Sequence, residues 1–241
     1  ELAARGPLAG VLARPGEHAD LLGAPALDAL RSGSARREAE AEVLRAGAIG
    51  VRIVGRDEAD YPAWLQRVYA VPPVLWVRGA LVPAEGERAV AVVGSRAATA
   101  LGTAFARALA RDLATAGLTV VSGLARGIDT AAHLGALDAR GRTVAVLGSG
   151  LDRLYPPENA ALARAIVGEG AVVSEFPLGT SPWKANFPRR NRVIAGWARA
   201  TVVVEAGARS GALSTARAAL DEGREVMAVP GHPSQPGAEG T

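Results

Sequence analysis

From about Arg88 onward, short apolar runs alternate with longer stretches rich in alanine. The runs are "AVAVVG" (89–94), "LTVVSG" (118–123), "TVAVLGSG" (143–150), "AVVSE" (171–175), "TVVVEAG" (201–207) and "EVMAVPG" (225–231). Each is apolar at consecutive positions, which is typical of parallel strands covered on both faces, and the stretches between them have the length of helices. The pattern predicts an α/β domain with a doubly wound, mostly parallel sheet in three αβα layers.

The residues before this pattern predict a different organisation. Residues 1–46 contain short helical stretches broken by loops, which indicates a small or incomplete helical domain of the SAM-like kind, followed by the main domain over residues 47–241. "AIGVRIVG" (48–55) and "PPVLWVRG" (72–79) predict two further strands that extend the sheet. Four later helices are expected to end in the left-handed conformation at a glycine, namely Gly117, Gly141, Gly170 and Gly223.

Composition narrows the class of protein. The 241 residues are 49% hydrophobic and 21% charged, as in ordinary globular proteins. No apolar run is long enough to span a bilayer, no secretory signal is recognisable, and there are no cysteines for disulfides, so a cytoplasmic protein is expected. The sequence begins at Glu1 rather than Met, which indicates that the natural start is missing.

Positive charge is concentrated in residues 176–204. This segment holds five of the 27 basic residues and none of the 24 acidic ones, although the net charge of the chain is only +3. Lys184 is the one lysine in the chain. Two interpretations of it stay open: survival by chance in an arginine-rich composition, or a site that suits a compact ammonium better than a planar guanidinium.

Four aromatic residues, Phe176, Trp183, Phe187 and Trp197, alternate with these cations. Cations that follow phosphates, beside rings on which bases stack, form the usual surface for single-stranded nucleic acid. The alternative is that Phe187 and Trp197, at helical spacing, belong to the core. Arg190 and Arg192 could likewise serve in structural pairs.

Polar, glycine-rich turns follow five of the predicted strands. They are "GSR" (94–96), "SGLARGID" (122–129), "GSGLD" (148–152), "SEFPLG" (174–179) and "EAGARSGALS" (205–214). Glycines let the backbone approach a ligand and helix N-termini attract anions, so these turns predict a crevice for phosphate groups. Neither a G-x-G-x-x-G fingerprint after the first strand nor a nucleotide-triphosphatase phosphate loop occurs, so no nucleotide cofactor is expected.

Catalytic groups are sparse. Ser122, Asp129 and His133 could suggest a triad, but the alternative is that Asp129 caps a helix starting at Thr130 while His133 faces sheet or solvent. The nucleophile elbow G-x-S-x-G does not occur in the sequence. The three histidines are scattered, so no metal site is predicted.

Two strand-end carboxylates remain as candidates for acid/base chemistry. Glu175 and Glu205 end neighbouring predicted strands and could form an acid/base pair. As strand-end carboxylates they could equally pair with nearby arginines.

Several of these motifs closely resemble the DNA-processing protein A family, DprA/Smf. They are "VAVVGSRAAT", "VVSGLARGIDTAAHLGAL", "TVAVLGSGLDRLYPPEN", "VVSEFPLG", "FPRRNRVIAGWA", "VVVEAGARSGALSTA" and "VMAVPG", in order from about Tyr61 to Gly231. The resemblance implies an extended Rossmann-like domain that dimerises and binds single-stranded DNA, and a family not known as enzymes. Residues 1–46 match only loosely, and the sequence stops at "EGT", before the small C-terminal domain that many members carry.

The resemblance also implies site residues and a partner. Arg96, Lys184, Phe187 and Arg190 or Arg192 fall on the family's DNA-binding positions, and the family hands DNA to the RecA recombinase in natural transformation. The expected DNA-binding set is Gly94, Ser95, Arg96, Gly123, Arg126, Lys184, Asn186, Phe187, Arg190, Asn191, Arg192 and Gly211.

The predicted function is therefore protection of incoming single-stranded DNA and loading of RecA, performed by a homodimer without a cofactor, a metal or a membrane partner. A rival hypothesis is a Rossmann-like phosphoribohydrolase that removes bases from nucleoside monophosphates. In such an enzyme, "EAGARSGALSTA" would hold the phosphate and Glu175 or Glu205 would be the catalytic carboxylate.

Overall fold

The computed structural model of the chain describes residues 12–231, residue 237 and residues 239–241. The chain divides into two compact units, the first ending at Ile49 and the second spanning Gly50–Thr241. In the first unit, helices α1 (Ala24–Arg31) and α2 (Ser34–Ala48) pack against each other. Parts of the expected N-terminal helical region and of the turn-rich ending lie outside the described residues, namely residues 1–11, 232–236 and 238.

Within the described residues, the second unit holds one sheet of eight strands. They are β1 (Arg52–Gly55), β2 (Val74–Gly79), β3 (Ala89–Val93), β4 (Thr119–Ser122), β5 (Thr143–Leu147), β6 (Ala171–Ser174), β7 (Ala200–Val203) and β8 (Glu225–Ala228). Their order is β1-β2-β6-β5-β4-β3-β7-β8. The six strands from β6 to β8 are parallel, whereas β2 pairs antiparallel with β1 and β6. The predicted fold class and the two additional strands are confirmed.

Helices cover both faces of the sheet. The crossovers between parallel strands contain α3 (Ala100–Thr115), α4 (Ile128–Asp138), α5 (Ala160–Glu169), α6 (Asn186–Trp197) and α7 (Gly211–Asp221). One core cluster includes Trp197 of α6 and Ala212 of α7, and the other includes Ala110 of α3 and Ile128 of α4. None of the helices described is long and apolar enough to cross a membrane.

The strand order reverses direction beside β3. After β3, the chain adds β4, β5 and β6 on one side of it and then β7 and β8 on the other. Two neighbouring parallel strands whose crossovers leave toward opposite sides create a crevice beyond their carboxyl ends. The fold therefore places a binding crevice where the turns after β3 and β7 meet.

Two of the four helix-ending glycines have the predicted left-handed conformation. Gly117 follows α3 with φ 75° and Gly223 follows α7 with φ 65°. The prediction is wrong at Gly141 and Gly170. After α4 the left-handed residue is Arg140 (φ 50°), and Gly170 is extended with φ −164°.

Close packing of the backbone explains why glycine occupies those two positions. A Cβ atom on Gly141 would lie 2.5 Å from the Cβ of Ala114 in α3. A Cβ atom on Gly170 would lie 1.9 Å from the carbonyl oxygen of Thr143. Glycine is required at these two positions because there is no room for a side chain. The sequence alone does not distinguish this requirement from the need for a left-handed conformation.

Small residues also let α3 and α4 approach each other closely. Gly135 of α4 faces the backbone of α3, and a Cβ atom there would lie 2.1 Å from the carbonyl oxygen of Arg107. Several of the buried residues of the two helices are alanines, namely Ala106, Ala110 and Ala114 in α3 and Ala131, Ala132 and Ala136 in α4. One added methyl group is therefore expected to force the two helices apart.

A pair of glycine substitutions tests this packing. Gly135→Ala should lower the free energy of unfolding by about 1–3 kcal/mol, because the extra carbon overfills the contact with α3. Gly168→Ala in α5 is the matched control, since no atom lies within 4 Å of the added carbon. It should raise the same free energy by about 0.5–1 kcal/mol, because alanine favours the helix. Urea unfolding measures both, and effects of the same sign would contradict the packing argument.

Candidate nucleic-acid interface

A cleft of about 940 Å³ opens beyond the carboxyl ends of β3 and β7. Its walls are the turn after β3, the turn after β7 and the N-terminal half of α6. This is the crevice that the reversal of strand order requires. Eight of the twelve expected DNA-binding residues line it: Gly94, Ser95, Arg96, Lys184, Phe187, Arg190, Asn191 and Gly211.

A smaller cleft of about 230 Å³ adjoins the first. The two share Arg96, Phe187 and Arg190, so they form one continuous surface. Two further expected residues, Gly123 and Arg126, line the smaller cleft. Sequence reasoning did not include two ring-bearing residues of this cleft, Tyr155 and Pro156.

Asn186 and Arg192 line neither cleft. Asn186 is buried at the start of α6, where its Nδ2 donates to the Ser181 carbonyl oxygen at 3.1 Å. The Arg192 guanidinium donates to the Glu175 carboxylate and to the Ala70 carbonyl oxygen. The two arginines therefore differ in their roles. Arg192 forms a structural pair, whereas Arg190 reaches the cleft.

Arg190 forms the floor of the cleft and is only 4% exposed. Its Nη1 donates to the carbonyl oxygens of Gly123, at 2.7 Å, and Val146, and its Nε donates to Asn191 Oδ1 at 3.1 Å. A Cβ atom on Gly123 would lie 2.6 Å from the guanidinium carbon, so glycine is required beneath it. Burial lowers the pKa of Arg190 to about 10, which leaves the side chain charged at neutral pH.

Asp129 lies close to Arg190 and fixes the loop after β4. Its carboxylate accepts hydrogen bonds from the backbone N–H groups of Gly123 (3.0 Å) and Ala125 (3.3 Å). Burial raises its pKa, and the nearby Arg190 charge opposes that shift. The prediction of a cap at Thr130 is wrong, because α4 begins at Ile128 and Asp129 bonds the preceding loop instead.

The ring of Phe187 is half-buried among cations. The guanidinium carbons of Arg96 and Arg190 lie 4.8 and 5.8 Å from its centre, and the Tyr155 ring centre lies 6.1 Å away. Beneath the ring, a Cβ atom on Gly148 would lie 2.9 Å from Phe187 Cδ1. The residue is therefore packed on one side and lines both clefts on the other.

The other aromatics of the basic segment divide between core and surface. Trp197 is fully buried, and its Nε1 donates to Glu85 at 3.2 Å. Of Phe187 and Trp197, it is therefore Trp197 that belongs to the core. Phe176 is buried beneath Arg189, whose guanidinium carbon lies 5.2 Å from the ring centre. Trp183 stays exposed.

Positive charge dominates the walls of the larger cleft. Its cations are Arg96, Lys184, Arg190 and Arg209, and its carboxylates are Asp129 and Glu239. In the part of the chain that the structure describes, no ion pair is found for Arg96, Lys184 or Arg209. Sequence reasoning missed Arg209, although it stands inside the glycine-rich turn after β7. A local field of this kind attracts anionic chains.

The residues considered for a triad do not form one, although Ser122 and Asp129 lie close together. Ser122 Oγ donates to the Val92 carbonyl oxygen at 2.7 Å inside the sheet. His133 is fully buried, and its Nδ1 lies 2.7 Å from Thr143 Oγ1 on β5, so it faces the sheet. Asp129 bonds backbone N–H groups instead of an imidazole. The arrangement offers no activated nucleophile.

The two strand-end glutamates are also held in structural contacts. Glu205 accepts hydrogen bonds from Thr99, at 3.1 Å from its N–H and 2.7 Å from its Oγ1, and so fixes the start of α3. Glu175 pairs with Arg192. Neither carboxylate lines the cleft. The two glutamates are therefore not placed to act as the acid/base pair of a phosphoribohydrolase in this cleft.

Comparisons with known proteins agree with this architecture. The model of the family described as DNA recombination-mediator protein A matches residues 52–241. The chain belongs to this family. Protein Smf from Escherichia coli is 47% identical over 189 residues, which are 78% of this chain and 50% of that protein. Protein Smf from Synechocystis is 44% identical over 76% of this chain and 47% of that protein, so the chain spans about half the length of these relatives.

Solved structures of the family share the fold. DNA processing protein A from Streptococcus pneumoniae is 40% identical, covers 78% of this chain and 66% of its own, and superposes with a TM-score of 0.71. DNA processing protein A from Helicobacter pylori, described for its single-stranded DNA binding mode, is 26% identical. It covers 79% of this chain and 84% of its own, again with a TM-score of 0.71.

The buried His133 predicts a specific loss of stability in acid. Desolvation, with a smaller effect of the Arg190 charge, lowers its pKa to about 3 in the folded protein. Below the ordinary histidine pKa of about 6.5, the unfolded chain binds a proton that the folded chain does not, so stability falls as the pH falls. This group alone should reduce the free energy of unfolding by up to about 1.4 kcal/mol per pH unit between pH 6.5 and 3.

Urea unfolding of the wild type and of His133→Gln at pH 7.5 and 5.0 checks this expectation. Each protein is compared with itself at the two values, so any pH-independent cost of the substitution cancels. The variant should lose less stability on acidification than the wild type. Equal losses would show that His133 already titrates normally in the folded protein.

Proposed function

We propose that this chain binds single-stranded DNA in the cleft beyond β3 and β7. The observation that carries the proposal is the ring of Phe187, half-buried beside Arg96 and Arg190 on a continuous surface that Lys184 and Arg209 also line. Such cations pair with phosphates and such a ring stacks on a base. Membership of the family, and the single-stranded DNA binding mode described for the Helicobacter pylori relative, support it.

The wider role follows from the family. We propose that the protein acts in the cytoplasm as a homodimer, protects incoming DNA and loads the RecA recombinase onto it during natural transformation. Family membership supports this role, and the described residues contribute the DNA cleft to it. Light scattering at micromolar protein concentration measures the oligomeric state and so tests the dimer. An assay of RecA loading on single strands coated with this protein tests the proposed partner.

We also infer that the site binds and does not catalyse. The carboxylates that line the cleft are Asp129, which is buried and bonded to backbone N–H groups, and Glu239, which accepts a hydrogen bond from the N–H of Gly237. Neither bonds an imidazole or a second acid, and the Oγ of Ser122, which lies near Asp129, donates to the Val92 carbonyl oxygen inside the sheet, so no activated nucleophile is formed. Release of free base on incubation with nucleoside monophosphates would overturn this inference in favour of a phosphoribohydrolase.

Single strands should bind more tightly than duplex. Bases that are stacked and paired within a duplex cannot turn toward Phe187, whereas the bases of a single strand can. Gel-shift titrations with a 20-nucleotide strand and the corresponding duplex, at one stated salt concentration, compare the two. Equal affinities would show that the cleft recognises only phosphates and that the ring plays no part.

Substitutions in the basic segment separate charge from stacking. Lys184→Ala should reduce the salt slope of log affinity by about 0.7, because one phosphate contact no longer releases a counterion. Phe187→Ala should weaken binding by roughly 1–3 kcal/mol at every salt concentration and leave the slope unchanged. Arg96→Ala should reduce the slope as Lys184→Ala does. It should also be non-additive with Phe187→Ala, since the two side chains touch.

Two controls accompany these variants. Arg164→Ala removes an exposed cation of α5 outside both clefts and should change neither slope nor affinity. Thermal melting shows whether Phe187→Ala is folded, because truncation of a packed aromatic costs up to about 3–5 kcal/mol. Early melting with normal DNA binding would assign Phe187 to the core. An unchanged slope in Lys184→Ala would leave the single lysine without a role in binding.

A further inference from the structure

Trp183 is the most exposed tryptophan of the chain. Its exposed fraction is 69%, while Trp76 and Trp197 are buried at 7% and 0%. Trp64 is half-buried, with the guanidinium carbon of Arg224 4.0 Å from its ring centre. Exposure alone does not mark a contact, since Tyr69 is 98% exposed. Trp183 is a candidate because it directly precedes Lys184, which lines the cleft.

The backbone around Trp183 is fixed although its ring is exposed. The Trp183 N–H donates to the Ser181 carbonyl oxygen at 2.9 Å, and the Asn186 N–H donates to the Trp183 carbonyl oxygen at 3.0 Å. The side chain of Asn186 donates to Ser181 as well, at 3.1 Å. This is the structural role of Asn186, which closes the turn that leads into α6. A ring presented by a closed turn loses little conformational freedom when it binds a flat partner.

Trp183 is next to the cleft along the chain but does not line it. Lys184, which lines the cleft, follows Trp183 directly. The hydrogen bond across residues 183–186 brings their Cα atoms within about 7 Å, so the Cα atoms of Trp183 and Phe187 lie within about 11 Å of each other. At the 3.4 Å rise of a stacked strand, that distance corresponds to roughly one to three nucleotides. No acidic residue occurs between positions 176 and 204 to repel the strand.

We propose that the indole of Trp183 is a second base-stacking position, outside the cleft, for a nucleotide close to the one seated at Phe187. The proposal rests on the proposed binding of single-stranded DNA and deepens it by extending the binding surface beyond the cleft. Stacking on an indole face requires no particular base, so the position accepts any single strand. The ammonium of Lys184 is available to the phosphate between the two rings.

Fluorescence provides a test that does not depend on a loss of function. A 12-nucleotide thymidine strand with a terminal dye reports affinity by anisotropy, while tryptophan emission is recorded in a parallel titration with the unlabelled strand. In the wild type the strand should quench part of the emission as it binds. Trp183→Phe should remove most of this quench and keep the affinity within about twofold, because phenylalanine still stacks. Trp183→Ala should weaken binding about five- to tenfold.

Two matched variants serve as controls. Trp64→Phe removes a half-buried tryptophan that lines neither cleft and should leave the quench intact. Tyr69→Ala removes an aromatic side chain that is 98% exposed elsewhere in the second unit and should leave the affinity unchanged. If Trp183→Ala binds like the wild type, or if the quench persists in Trp183→Phe, the stacking position is wrong.

The remaining outcomes separate this proposal from the one on which it rests. If Trp183→Ala changes the oligomeric state by light scattering and leaves strand affinity unchanged, the indole serves a protein contact and the proposal is overturned. If Lys184→Ala impairs binding while Trp183→Ala does not, the cleft stands and only the outer position fails. If the wild type does not bind the strand at all, both proposals fall together.

Discussion

The buried guanidinium of Arg190 ties α6 to the carboxyl ends of β4 and β5 beneath the candidate site. It bonds the carbonyl oxygens of Gly123, just after β4, and of Val146 in β5, and thereby fixes α6 above the carboxyl ends of the sheet. Its Nε donates to Asn191, whose Nδ2 in turn donates to Ser214 Oγ at 2.7 Å in α7. A buried cation is tolerated only where hydrogen bonds and an opposite charge offset its desolvation, and the strand-end carbonyls together with Asp129 supply both.

Close packing of the protein's own side chains explains several glycines around the site. The guanidinium lies against Gly123 and leaves no room for a side chain there. The Phe187 ring lies against Gly148 in the same way. Gly94 is equally restricted, since a Cβ atom there would lie 2.6 Å from Ile128 Cγ1 at the start of α4. Glycine-rich turns after strands are often explained by ligand approach. Here, a large part of the requirement comes from the protein's own side chains.

The sequence was sufficient for the fold and for the crevice at the carboxyl ends of the strands, because both depend on patterns that extend over many residues. Continuous apolar runs predicted the parallel strands, and their order placed the polar turns at one edge. Individual side chains within α6 were harder to assign. Arg190 and Arg192 are two residues apart, about 200° around a helix, so they must face different sides.

A signal for the choice between them was present in the sequence. Arg190 shares its helical face with Val193, Ile194 and Trp197, all of which are buried. The spacing therefore identified Arg190 as the inward residue, although a charged group on an apolar face is usually taken as evidence against burial. The glycines at positions 141 and 170 carried no such signal, because the close contacts that require them come from α3 and β5, distant in sequence.

The division between buried and exposed cations also decides what kind of ligand the cleft suits. The charge of Arg190 is matched by Asp129 and occupied by backbone carbonyls, so it has few hydrogen bonds left to give a phosphate. In the proposed complex, the phosphate contacts that release counterions from the strand would come from Arg96, Lys184 and Arg209, whose side chains are exposed. The guanidinium carbon of Arg190 instead lies 5.8 Å from the centre of the Phe187 ring. A half-buried ring within a border of exposed cations favours a flexible polyanion that carries flat bases over a compact phosphate, which would use the cations and leave the ring without a partner.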